Sequence, residues 1–125
     1  MKIAVIIVRT LVGLMFLFAS ITYFLNLVSP AEMSGRPRIF MEGLAASGYI
    51  MPVVKALELL CGLAFVSGKF VALAVVIIFP IAVNILLIHT ILLPEGLLPA
   101  NLLFLGILFL AYSEREKYKP LLAIR

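Results

Sequence analysis

Four long apolar runs separated by short polar breaks make up most of the chain: residues 3–28, 50–67, 70–93 and 99–113. About 20 apolar residues cross the hydrocarbon layer as a helix, so each run reads as a membrane span. The second and fourth are short and require tilt or local thinning. The pattern predicts an all-α fold, a single membrane domain built as a four-transmembrane-helix bundle. Ser29-Pro30 stops the first run, Gly68 ends the second, and Leu93-Pro94-Glu95-Gly96 closes the third. Pro80 lies inside the third run and frees the carbonyl of Val76, which predicts a kink. The opening Met1-Lys2, an apolar stretch and then Ala19 and Ser20 also fit a secretory signal peptide. The apolar run continues through Ile21 and Leu27, however, and favours a span.

The longest polar connection, residues 30–49, carries Glu32, Arg36, Arg38 and Glu42. Within it, 37–47 fits a short interfacial helix with Pro37 in its first turn and Ile39, Phe40 and Leu44 as an apolar stripe. A plain loop fits nearly as well. Residues 114–125 form a basic tail.

Composition sharpens the class. Of 125 residues, 65% are hydrophobic and 13% charged, against about 25% charged in soluble domains. The mean hydropathy is +1.26, and the chain reads as an integral membrane protein in contact with the lipid bilayer. Cys61 and His89 are the sole residues of their kinds, which excludes an intramolecular disulfide, a Cys-x-x-Cys pair and a bis-histidine haem site within the chain. No acidic cluster offers a hard-metal cage, and Met33, Met41 and Met51 are too dispersed along the chain for a copper site, so no metal is expected. The net charge of +4 speaks to topology and not to a nucleic-acid partner. With both termini cytoplasmic, Lys2, Arg9, Lys69, Arg115, Lys117, Lys119 and Arg125 fall inside, against Arg36, Arg38 and Lys55 outside, as the positive-inside rule favours.

The chemistry centres on Lys55 and Glu58, opposite charges three residues apart on one helical face within an apolar run. A charge at bilayer depth costs roughly 2.5–3.5 kcal/mol on insertion scales, so it pairs, faces the bundle interior or serves a function. At 1.5 Å per residue, Glu58 lies roughly 12 Å and Lys55 roughly 7 Å from the outer end of their span. On the next span Asn84 lies roughly 13 Å and His89 roughly 6 Å from that end. Tyr23 and Asn26 fall in the outer half of the first span, three residues apart on one face, and Asn101 at the outer start of the fourth. Every span thus places polar groups in the outer half. The inner half is almost pure Leu, Val, Ile and Phe, with Arg9, Ser67 and Tyr112 near its boundary. This predicts a pocket opening outward and not a channel. Simpler roles remain open: Lys55 and Glu58 neutralising each other, Asn84 bonding a neighbouring helix or the backbone freed by Pro80, and His89 wetted at the interface. Cys61 beside Gly62 reads as close helix packing.

Several ordered segments resemble one family. They are Arg9-Thr-Leu-Val-Gly13, Leu44-Ala-Ala-Ser-Gly48-Tyr49, Ala56-Leu-Glu58-Leu-Leu-Cys61-Gly62-Leu63, Ser67-Gly-Lys69, and Pro80-Ile-Ala-Val-Asn84 with His89. Together they resemble the DoxX family of small four-helix membrane proteins, most pointedly in the glutamate followed four residues later by glycine. The resemblance implies a bacterial inner-membrane protein. It also implies association with quinone-linked redox systems, the family's motif glutamate falling on Glu58 and its polar helix-three positions on Asn84 and His89. A quinone is the one cofactor it suggests, and it transfers no catalytic set. Three functions follow as expectations: a membrane subunit or accessory of a quinone-linked system, a non-enzymatic assembly protein docking on a larger membrane complex or on its own copy, and a small proton-coupled transporter using Glu58.

Overall fold

The computed structural model describes residues 1–27 and 32–124. The expected stop at Ser29-Pro30, and Arg125, lie outside these residues. The described chain is all-helical, with four helices long and apolar enough to cross a membrane. They are α1 (Lys2–Phe24), α3 (Ile50–Ser67), α4 (Val71–Leu87) with a π-helical turn over Ile88–Leu92, and α5 (Leu97–Ser113). A shorter helix, α2 (Gly35–Ala46), fills the first connection, and a one-turn helix, α6 (Arg115–Tyr118), follows α5. The principal packing contacts run α1 to α3, α3 to α4, α4 to α5 and α5 to α1, which closes a four-helix bundle with α2 over one end.

Three boundaries differ from the sequence pattern, each for a local reason. The first helix ends at Phe24 and not at residue 28. Asn26 adopts the left-handed conformation at φ 53°, its N–H donates to the Tyr23 carbonyl and the N–H of Leu27 donates to Thr22. That bond pattern is a Schellman stop with asparagine in the place glycine usually takes. The third span is not one continuous α-helix: it widens into the π turn after Leu87, and Leu93, pushed to extended backbone (φ −133°, ψ 76°) by the following Pro94, ends it. The fourth helix begins at Leu97, two residues before Pro99, because a proline in the first turn removes an N–H that has no helical partner anyway. The first connection does hold a helix, starting slightly earlier than the apolar stripe suggests. Ser47 then joins it to α3, its Oγ accepting from the backbone N–H groups of Tyr49 and Ile50 at 3.3 and 3.1 Å.

Apolar residues cover the outside of the bundle as densely as they fill the inside. Phe18, Leu60, Leu63, Leu73 and Leu105 are exposed, while Phe65, Ile78, Ile107 and Leu110 are fully buried. In lipid this is the expected arrangement, since tails solvate leucine as well as a neighbouring helix does and packing alone drives association. The tightest seam is α1 against α3, where Gly13 and Gly62 face each other. A Cβ on Gly13 would lie 2.7 Å from Val66 Cγ2 and 3.0 Å from the Gly62 carbonyl oxygen. The buried Val12, Phe16, Phe65, Val75, Ile78, Ile107 and Leu110 form an apolar core along the bundle. At the end away from α2, Arg9 packs over Gly68, the left-handed stop of α3, and its cation faces that helix's partly negative C-terminus. The tail is held there too, by the Tyr118 hydroxyl donating to the Ala72 carbonyl at 2.8 Å. Burial, and to a lesser degree Glu114, pushes the Tyr118 phenol above its ordinary value. That bond therefore holds at neutral pH and is lost only as pH rises through the raised value.

Gly13→Val forces α1 and α3 apart. It is expected to lower stability by about 1–3 kcal/mol, the usual cost of overpacking, read as an earlier unfolding midpoint in detergent; an unchanged midpoint would refute the seam.

Candidate functional site

The α2 end of the bundle is hollow. A cavity of about 660 Å³ lies between α1, α3, α4 and α5, with Met41 and Leu44 of α2 over it. Its walls are mainly apolar, with four polar side chains among them: Lys55 and Glu58 from α3, Asn84 from α4 and His89 from the π turn. The volume falls within the roughly 300–1,000 Å³ typical of small-molecule sites, as does the lining of apolar groups with a few convergent polar ones. A neighbouring cavity of about 980 Å³ lies further toward the surface, lined by Tyr23, Arg38, Glu42 and Tyr49 and sharing Met41, Leu44 and Met51 with the first.

Glu58 is the deepest of the polar groups, 3% exposed. Lys55 Nζ lies 3.1 Å from its Oε2, an ion-pair contact one helical turn long. The contact is not aligned as a hydrogen bond, so Oε2 is buried without a hydrogen-bond partner. The same ammonium lies 5.9 Å from the centroid of the Tyr23 ring, within range of a cation–π attraction. Lys55 is therefore held between a carboxylate below and an aromatic face above. Neutralisation is real but leaves part of the carboxylate's hydrogen-bonding capacity unused, and in an apolar interior that is costly.

His89 owes its place to the π turn. With the widened turn, the N–H of Leu93 bonds back to Ile88 at 2.8 Å, and His89 Nδ1 lies 3.1 Å from the Leu93 carbonyl oxygen. Gly96 makes room for the ring, since a Cβ there would come 2.3 Å from Nδ1. Single π turns inside helices occur frequently at functional sites. Asn84 is exposed and not locked between helices, lining both the main cavity and a groove of about 480 Å³ beside Arg36 and Phe40.

Of the seven residues expected at the pocket, the structure brings Lys55, Glu58, Asn84 and His89 together. Tyr23 lines the outer cavity and reaches the group only through Lys55. Asn26 and Asn101 are exposed and line neither cavity, Asn26 serving as the stop of α1. The expectation that Tyr23 and Asn26 share a helical face fails because the helix ends between them. Sequence reasoning weighed Met33, Met41 and Met51 only as copper ligands and not as cavity lining. Met33, Met41 and Met51, scattered along the chain, all line the outer cavity, and Met15, Met41 and Met51 line the inner one. Thioethers are soft, adaptable surfaces that make favourable contacts with aromatic rings. The signal for them was available only through the fold of α2 back over α3. Among the described residues, no three His, Cys, Asp or Glu side chains gather as a metal site. Cys61 is buried, its thiol 3.6 Å from the Ala74 carbonyl, as helix packing requires. No family model, curated protein or solved structure matches the chain.

The pair can be tested apart from any ligand. Lys55→Met leaves Glu58 buried and unpaired and is expected to destabilise by about 3 kcal/mol. Adding Glu58→Gln should recover most of that loss. Additive losses in a double-mutant cycle would show that the two side chains do not interact.

Proposed function

We propose that this is a small bacterial inner-membrane protein of the DoxX type, with both termini cytoplasmic, that serves as the membrane subunit or accessory of a quinone-linked redox system. Its site is the cavity around Glu58, which takes a ligand with an apolar body and a polar head. The observation that carries this reading is a half-open cavity of about 660 Å³ with a buried carboxylate oxygen in its wall that has an ion-pair contact to Lys55 but no hydrogen-bond partner. A bundle that needed Glu58 only to neutralise Lys55 gains nothing from a void beside the pair, because unfilled volume forfeits packing contacts. The Met and Phe16 lining suits a flat aromatic ring.

A transport function is less well supported. Phe65, Ile78, Ile107 and Leu110 are fully buried toward the opposite end, and no polar side chain is among them to continue a path. The seven basic residues at the tail end, counted over the whole chain, favour the inside-termini orientation.

Protein extracted from membranes in mild detergent and transferred to lipid nanodiscs is expected to bind short-tailed ubiquinone or menaquinone analogues, in either redox state. Glu58→Leu should weaken that binding at least tenfold, about 1.4 kcal/mol. No binding of either class by the folded wild-type protein would refute the reading.

A further inference from the structure

The polar atoms of the cavity favour one redox form of such a ligand, and this inference rests on the reading just given. The Leu93 carbonyl can only accept a hydrogen bond, so its 3.1 Å contact with His89 requires the proton to sit on Nδ1. In the neutral ring Nε2 is then a bare acceptor, set by the other nitrogen's bond. The widened turn and the absence of a side chain at Gly96 hold the ring in that bond. Glu58, which lines the same cavity, is a second acceptor, its buried Oε2 3.1 Å from Lys55 Nζ but without an aligned hydrogen bond. Asn84 offers both a donor and an acceptor and so expresses no preference. The remaining donor, Lys55, is drawn to Glu58 on one side and the Tyr23 ring on the other.

From this geometry we infer that the cavity recognises the hydroxyl-bearing, reduced form of a quinone-type ring in preference to its carbonyl form, with Glu58 and Nε2 of His89 accepting from the ring hydroxyls. A quinone presents only acceptors, which can draw on the Asn84 amide and on Lys55 but leave Nε2 of His89 and the remaining acceptor capacity of Glu58 without a donor. A hydroquinone supplies the donors they lack. Sites built to bond a donor discriminate strongly against analogues without it, because the buried acceptor is then left unpaired.

Two measurements decide the matter. The first is the affinity of nanodisc-embedded protein for a decyl-ubiquinol and the matched decyl-ubiquinone, the quinol kept reduced under anaerobic conditions. The quinol should bind at least tenfold more tightly, and Glu58→Gln, which exchanges one acceptor oxygen for a donor, should bring the two within about threefold of each other. Equal or tighter quinone binding by the wild type overturns the preference, and an unchanged ratio in the variant removes Glu58 from it. Binding of neither form overturns the functional reading itself. The second needs no variant and no ligand. His89 is the sole histidine, so nitrogen NMR of ¹⁵N-histidine-labelled protein reports its tautomer without ambiguity. The neutral ring should be protonated at Nδ1, and a ring protonated at Nε2 overturns the inference.

Discussion

A carboxylate and an ammonium one turn apart in a membrane helix constrain everything around them. Neither can face lipid without a cost of several kcal/mol, so α3 must turn the Lys55–Glu58 face inward and its neighbours must receive it. The structure meets this demand unequally along the helix. Glu58 goes to the interior at 3% exposure, while Lys55 rises toward the end of the bundle under the Tyr23 ring. On the next turn Cys61 and Gly62 bring α3 against α4 and α1 closely enough to seal the layer beneath.

The two halves of the bundle then follow different rules. Toward the tail, Phe65, Ile78, Ile107 and Leu110 are fully buried, and Arg9 and Tyr118 fasten the end through contacts to Gly68 and to the Ala72 carbonyl. Toward α2 the helices spread. There the proline-ended π turn supplies His89, and α2 lies over the cavity with Met41 and Leu44. A closely packed apolar end thus lies beneath a partly polar cavity. Close packing at Gly13 and Gly62 holds α1 against α3, while the Lys55–Glu58 pair ties the stability of the bundle to the polar wall of the cavity.

Much of this was legible in the residues. Four spans and the pairing in depth of Glu58 with Asn84 and of Lys55 with His89 follow from hydropathy and from 1.5 Å per residue, while the first connection reads almost equally as a helix or a loop. Depth, however, is one coordinate of three. It placed Asn101 at the correct level but could not show that it is exposed on α5 and away from the cavity. For Asn26 the error was in the backbone: a tolerant left-handed residue ended the helix, where a proline further on looked like the stop. The π turn was hidden because its cause, the demand of Pro94 on Leu93, acts through hydrogen-bond register and not through composition. The methionine lining depends on tertiary packing that brings Met15 of α1, Met41 of α2 and Met51 of α3 to one cavity, which no local pattern encodes.

The claim at the centre is that Glu58 faces a ligand and is not merely a partner for Lys55. An experimental density map of protein purified from membranes with nothing added tests it most directly. The expected result is density for an apolar-bodied molecule between Met15, Phe16 and Met51, its polar end within hydrogen-bond distance of Glu58 and His89. A chamber collapsed by side-chain repacking, with Lys55 donating to both Glu58 oxygens and no room beside them, would contradict it.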